Sequence, residues 1–83
     1  MYLFLVKKGI VVIMKNILID SDYIKLDQAL KLADFVMSGG EAKIVIMSEE
    51  VLVNGEVCTQ RGKKLRDGDI LEFNNNKVVI KHR

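Results

Sequence analysis

Four cationic side chains fall within six residues, at Arg61, Lys63, Lys64 and Arg66, with Gly62 among them and no carboxylate between. A run of this kind attracts phosphate, because counterion release favours cations that meet a polyanion. Upstream, Ser38-Gly39-Gly40-Glu41-Ala42-Lys43 leads into an apolar run. Read as an uncapped helix tip, it offers unpaired backbone N–H groups at the positive end of a helix dipole. Gly39 and Gly40 have no side chains to block approach, and Lys43 sits one turn further on. Lys25, at the head of an earlier helix, adds another cation. These groups together would make a phosphate-binding face. The same four clustered charges also suit a merely solvated turn.

Other chemistry has little to stand on. Cys58 is the only cysteine and His82 the only histidine, which excludes a disulfide framework and the common four-ligand zinc site. Asp27 and Asp34 share a helix face but lie roughly 10 Å apart along its axis, with no histidine beside them. Neither a P-loop, a dinucleotide fingerprint nor a nucleophile motif is present. No catalytic residue, no metal ligand and no cofactor are expected. The aromatics Tyr2, Phe4, Tyr23, Phe35 and Phe73 are scattered along the chain. That spacing argues against a single-strand stacking platform and for backbone or shape recognition.

The elements that must position these residues follow from periodicity. Ile17-Leu18-Ile19 reads as a short strand. Leu26, Ala29, Leu30, Ala33, Val36 and Met37 recur at helical spacing, predicting one helix that Ser38-Gly39-Gly40 stops. Leu32 and Phe35 lie off that stripe and should meet a second surface, such as a sheet. A second helix is predicted over 41–47, with Ala42, Val45 and Ile46 inward. From Val51 the period becomes two. Asn54-Gly55 signals a hairpin. A three-residue loop pairing Val53 with Val57 is preferred, because a two-residue loop puts Glu56 on the face of Val53. Asp67-Gly68-Asp69 and Asn74-Asn75-Asn76 are further turns. The order predicts an α+β domain: a two-helix hairpin packed on a short, mainly antiparallel sheet.

With 83 residues, 49% of them hydrophobic, the chain has room for one core. Its net charge of +2 names no partner by itself. Residues 1–13 are apolar but split by Lys7 and Lys8, too short for a membrane span and unlike a secretory signal. They read either as a non-native leader ahead of Met14 or as an extra strand, with 14–83 as the single domain.

The ordered set Lys25-Leu26-Asp27, Ser38-Gly39-Gly40-Glu41-Ala42-Lys43 with Ile46, Val51-Leu52-Val53-Asn54-Gly55 and Gly68-Asp69-Ile70 resembles the S4 RNA-binding domain family. It is most similar to the small stand-alone, YaaA-type branch, and covers residues 17–73. The resemblance implies an S4-like (αL motif) fold and a bacterial, cytoplasmic, non-catalytic protein. Its implied partner is structured RNA, such as ribosomal or transfer RNA. Carried over by position, the RNA contacts are Lys25, Ser38, Gly39, Gly40, Lys43, Asn54 and Gly55; charge adds Arg61, Lys63 and Lys64. Gly39 and Lys25 stand where the family often has arginine, which weakens bidentate phosphate recognition and shifts weight to the loop.

Two other classes share some of these features. A ubiquitin-like sulfur carrier has the Val-Asn-Gly-Glu hairpin, but this chain ends Ile80-Lys81-His82-Arg83 without the Gly-Gly tail that chemistry requires. A protein-interaction adaptor would dock through Leu32, Phe35 and the hairpin.

Overall fold

A computed structural model describes residues 2–7 and 10–83, with side chains from Met14 onward. The strands are β1 (Tyr2–Lys7), β2 (Ile10–Ile19), β3 (Ile24–Lys25), β4 (Val51–Val53), β5 (Glu56–Val57), β6 (Lys64–Leu65), β7 (Ile70–Phe73) and β8 (Asn76–His82). The helices are α1 (Leu26–Leu32) and α2 (Gly39–Met47). Among the described residues, six strands form a sheet in the order β1-β2-β8-β7-β4-β5, and β3 pairs with β6 as a separate ribbon. Of the described pairs, only β2 and β8 run parallel. This is the α+β architecture that the change of period predicts. Of the expected leader, residues 1, 8 and 9 lie outside the described residues, while β1 pairs with β2 from Tyr2 opposite Lys15 to Lys7 opposite Ile10.

Alternation along the strands puts one face of the sheet against the helices. Ile17, Ile19, Val51, Val53, Leu71, Val78 and Ile80 join Leu26, Ala29, Leu30, Ala42, Val45 and Ile46 in one buried cluster. Leu18, between Ile17 and Ile19, is exposed. Leu26, Leu30, Ile46, Leu65, Leu71, Ile80 and Val51 are the largest fully buried side chains, and each leucine or isoleucine contributes about 1.5–3 kcal/mol. Among them, Leu65 anchors the basic segment to the core.

The first helix is shorter than its periodicity predicts. It ends at Leu32 with Ala33 as C-cap, and Asp34 takes a left-handed φ of 59°. The Asp34 amide donates to the Lys31 carbonyl at 3.0 Å and the Phe35 amide to that of Leu30 at 3.0 Å, the two bonds of a Schellman ending. Val36 is buried from the linker, whereas Met37 is 94% exposed. Apolar spacing thus runs on beyond the hydrogen-bonded helix. Leu32 and Phe35 part company. Leu32 is exposed, while Phe35 packs against the core with its ring 5.9 Å from that of Phe73. Of the pair, only Phe35 meets the second surface expected of it.

The glycine pair opens the second helix instead of ending the first. The tip is not uncapped, as expected, because the chain caps itself. The Glu41 amide donates to Ser38 Oγ at 3.1 Å, and Glu41 Oε1 accepts from the Met37 amide at 3.0 Å. This is close to a reciprocal capping box, and its Ser-x-x-Glu spacing was readable in the sequence. The inner residues Ala42, Val45 and Ile46 are buried as predicted. A second Schellman ending closes α2: the Glu49 amide donates to Ile46 and the Glu50 amide to Val45, with Glu49 at φ 62°.

The hairpin loop has two residues, not three. Val53 pairs with Glu56 and Leu52 with Val57. This register would be costly if it buried Glu56, but β5 is an edge strand and both its residues are exposed. Asn54 and Gly55 have φ of 52° and 85°, as a primed turn requires. Asn54 also locks the turn to β7. Its Oδ1 accepts from the Ile70 amide at 2.9 Å, and its Nδ2 donates to Asp69 Oδ1 at 3.1 Å. No helix among the described residues is long and apolar enough to cross a membrane.

The left-handed positions make stability testable. Glu49→Gly removes the strain of a non-glycine residue in the left-handed region and should raise stability by about 1 kcal/mol in urea titrations. Asn54→Ala loses both side-chain bonds and the tolerance for that φ, and should cost about 2 kcal/mol in the same measurement.

Candidate nucleic-acid interface

The basic segment is held against the start of α1 by main-chain bonds. Lys25 is the N-cap of α1 and its side chain makes no capping bond. The first-turn amides are satisfied from the loop instead: Leu26 N–H donates to the Lys63 carbonyl at 2.8 Å, and Asp27 N–H to that of Arg61 at 3.2 Å. One step back, Ile24 pairs with Leu65 and Lys25 with Lys64. Leu65 is fully buried, so the pleat turns Lys64 outward, opposite Lys25.

Two ammonium groups therefore share one exposed face of a two-strand ribbon. Like charges directly opposite are destabilising, by about 0.2–1 kcal/mol. A lysine at a helix N-cap also opposes the helix dipole. Neither Lys25 nor Lys64 has a carboxylate within ion-pair distance among the described residues. The neighbouring acids are engaged elsewhere. Asp69 Oδ2 accepts from the Arg66 amide at 2.7 Å, and Asp67 Oδ1 accepts from the His82 amide at 2.8 Å.

Two further residues stand on this face, and sequence spacing alone did not assemble them. Tyr23 lies two residues before Lys25, and Arg66 two after Lys64, so alternation places them beside the lysine pair. The Lys64 Nζ is 4.8 Å from the centre of the Tyr23 ring, and the Arg66 guanidinium carbon is 5.7 Å from it. The aromatics are scattered in sequence, but this one is brought into the basic patch. Its only signal was the period of two around Lys25, which becomes meaningful once Lys25 is known to pair with Lys64.

The other predicted residues divide among three places. Arg61 forms a half-exposed ion pair with Asp27 at 3.7 Å, so part of its charge is already answered. Lys63 is exposed and shares an open groove with Asn54, Glu56, Cys58, Thr59 and Gln60. Asn54 and Gly55 shape the hairpin, and the Asn54 side chain is engaged within the fold through Asp69, which also holds the Arg66 amide. This chain of bonds ties the hairpin to the basic segment.

Ser38, Gly39, Gly40 and Lys43 lie in the first turns of α2. Ser38 is occupied as the cap, and Lys43 is exposed. No hydrogen bond or ion pair among the described residues joins this tip to the β3–β6 ribbon. A Cβ built on Gly39 would meet nothing within 4 Å, and one on Gly40 only Ser38 Oγ at 3.9 Å. Neither glycine has a positive φ. The fold itself therefore does not require glycine at either position, although glycine disfavours a helix relative to alanine. Among the described residues, no group of three or more His, Cys, Asp or Glu side chains is placed to hold a metal ion.

Comparison with known proteins agrees with this architecture. A curated relative, the probable ribosome maturation protein RlbA of Bacillus subtilis (strain 168), is 52% identical over 55 residues, covering 66% of this chain and 78% of that protein. The family model of the S4 domain matches residues 17–81, which run from β2 through both helices and the basic segment to β8. The chain belongs to the S4 domain family.

Proposed function

We propose that this chain binds structured RNA through its phosphate backbone and catalyses no reaction. The observation that carries the reading is the pairing of Lys25 with Lys64 on an exposed ribbon, beside Arg66 and without a carboxylate partner among the described residues. Two local choices there oppose folding, a lysine at an N-cap and a lysine opposite a lysine, and at the start of α2 two glycines occupy a first helical turn. Such conflicts with local preference concentrate where a surface serves something other than stability. A phosphate set between Lys25 and Lys64 turns their repulsion into attraction.

The tip of α2 supplies a second contact in this reading. The Ser38 cap leaves the Gly39 and Gly40 amides as first-turn donors, and the bare glycines let an RNA backbone come close. Lys43 and Lys63 extend the contact, whereas Arg61 contributes less because of Asp27. The relative named for ribosome maturation supports ribosomal RNA, or a precursor of it, as the target, met in the bacterial cytoplasm. The family match over residues 17–81 supports 14–83 as the unit that does this.

Two measurements test the proposal. A surface neutralising about four phosphates should give a slope of about −3 to −3.6 when log affinity is plotted against log salt, the steeper value for a duplex. Replacing Lys25 and Lys64 together by alanine should reduce affinity at least tenfold at low salt and flatten that slope by about 1.4, with an unchanged circular dichroism spectrum. A salt-independent affinity would refute phosphate binding. Gly40→Leu probes the second contact: the open space predicts a stability within about 1 kcal/mol of the parent, or slightly higher, together with weaker RNA binding.

A further inference from the structure

We propose that Tyr23 is a stacking site for one unpaired RNA base, so that the ligand of this face is RNA carrying a bulged or looped nucleotide rather than an uninterrupted duplex. The proposal rests on phosphate binding by Lys25, Lys64 and Arg66 and adds the base to it.

The ring sits within a built arrangement. Its main chain is fixed on one side by Ser21, whose hydroxyl donates to the Tyr23 carbonyl at 2.7 Å, and on the other by the pairing of Ile24 with Leu65. The side chain is partly buried, as those of Phe35 and Phe73 are, but unlike them it is not packed against the core cluster. Tyr23 is thus a partly exposed aromatic outside the core cluster, held in place by an ordered backbone.

The Lys64 ammonium lies 4.8 Å and the Arg66 guanidinium 5.7 Å from the ring centre. The negative face of the ring attracts them because no acid does. A phosphate is a full charge and a stronger partner for both groups than a ring quadrupole. As the cations turn to the phosphate, the ring face they covered opens beside it. What stands next to a bound phosphate is the base of the same nucleotide or of its neighbour. An aromatic ring accepts any base by stacking, without reading its edge. A base inside a continuous duplex is already stacked and cannot reach the ring; an extruded one can. The arrangement therefore separates RNAs by whether a base is free, and leaves sequence largely unread.

The test uses the full chain and two RNAs: a blunt duplex, and the same duplex with one bulged 2-aminopurine. The wild-type chain should bind the bulged RNA about tenfold more tightly and quench the 2-aminopurine fluorescence. Tyr23→Leu should bring the two affinities together and erase the quenching, and Tyr23→Phe should keep both the preference and the quenching. Equal binding of the two RNAs by the wild-type chain, or a preference that survives Tyr23→Leu, overturns the stacking site and leaves phosphate binding standing. Failure to bind either RNA overturns phosphate binding itself, and the stacking site with it. The wild-type fluorescence carries the test even where the leucine variant folds poorly.

Discussion

The main-chain bond from Leu26 N–H to the Lys63 carbonyl, with Leu26 and Leu65 both fully buried, is the constraint on which the exposed face depends. A helix must satisfy its first N–H groups, and a side-chain cap is the usual means. Here a distant segment supplies carbonyls, so the start of α1 and the basic segment become one unit. The burial of Leu65 then decides the rest through the pleat. With Leu65 inward, Lys64 and Arg66 must point out, and Ile24 opposite Leu65 forces Lys25 to the same side. Four charged or aromatic side chains are displayed because two leucines are hidden.

The Asn54 and Asp69 pair plays a similar part at the other end of the segment. Asp69 joins the Arg66 amide to the Asn54 side chain, and Asn54 holds the Ile70 amide. Two tight turns and the basic segment are thereby coupled by polar bonds, in addition to the core anchor at Leu65. Asn54 fastens the two turns together, and its left-handed backbone is the reason asparagine suits the position.

Much of the fold was legible from pattern. The switch from helical spacing to a period of two at Val51 placed β4, β5, β7 and β8, and Ala42, Val45 and Ile46 marked the inner face of α2 correctly. Helix ends were less legible. The apolar stripe continues through Val36 and Met37, yet the helix ends at Leu32, because a Schellman ending can be built on aspartate when glycine is absent. The hairpin register departs from expectation for a related reason. Burial of Glu56 is costly only inside a sheet, and nothing in the local sequence says that β5 lies at an edge.

The sequence alone determined which side chains were available for binding an anion, and it carried no familiar catalytic motif to compete with them. It also determined the turns, since Asn54-Gly55, Gly68 and Asn74-Asn75 take left-handed backbone that few residues tolerate. Only the tertiary structure decided which cations share a face. Lys25 and Lys64 are thirty-nine positions apart, and their encounter is set by the pairing of Ile24 with Leu65. That pairing is chosen by burial, a property of the whole core, and so is invisible to any window of local sequence.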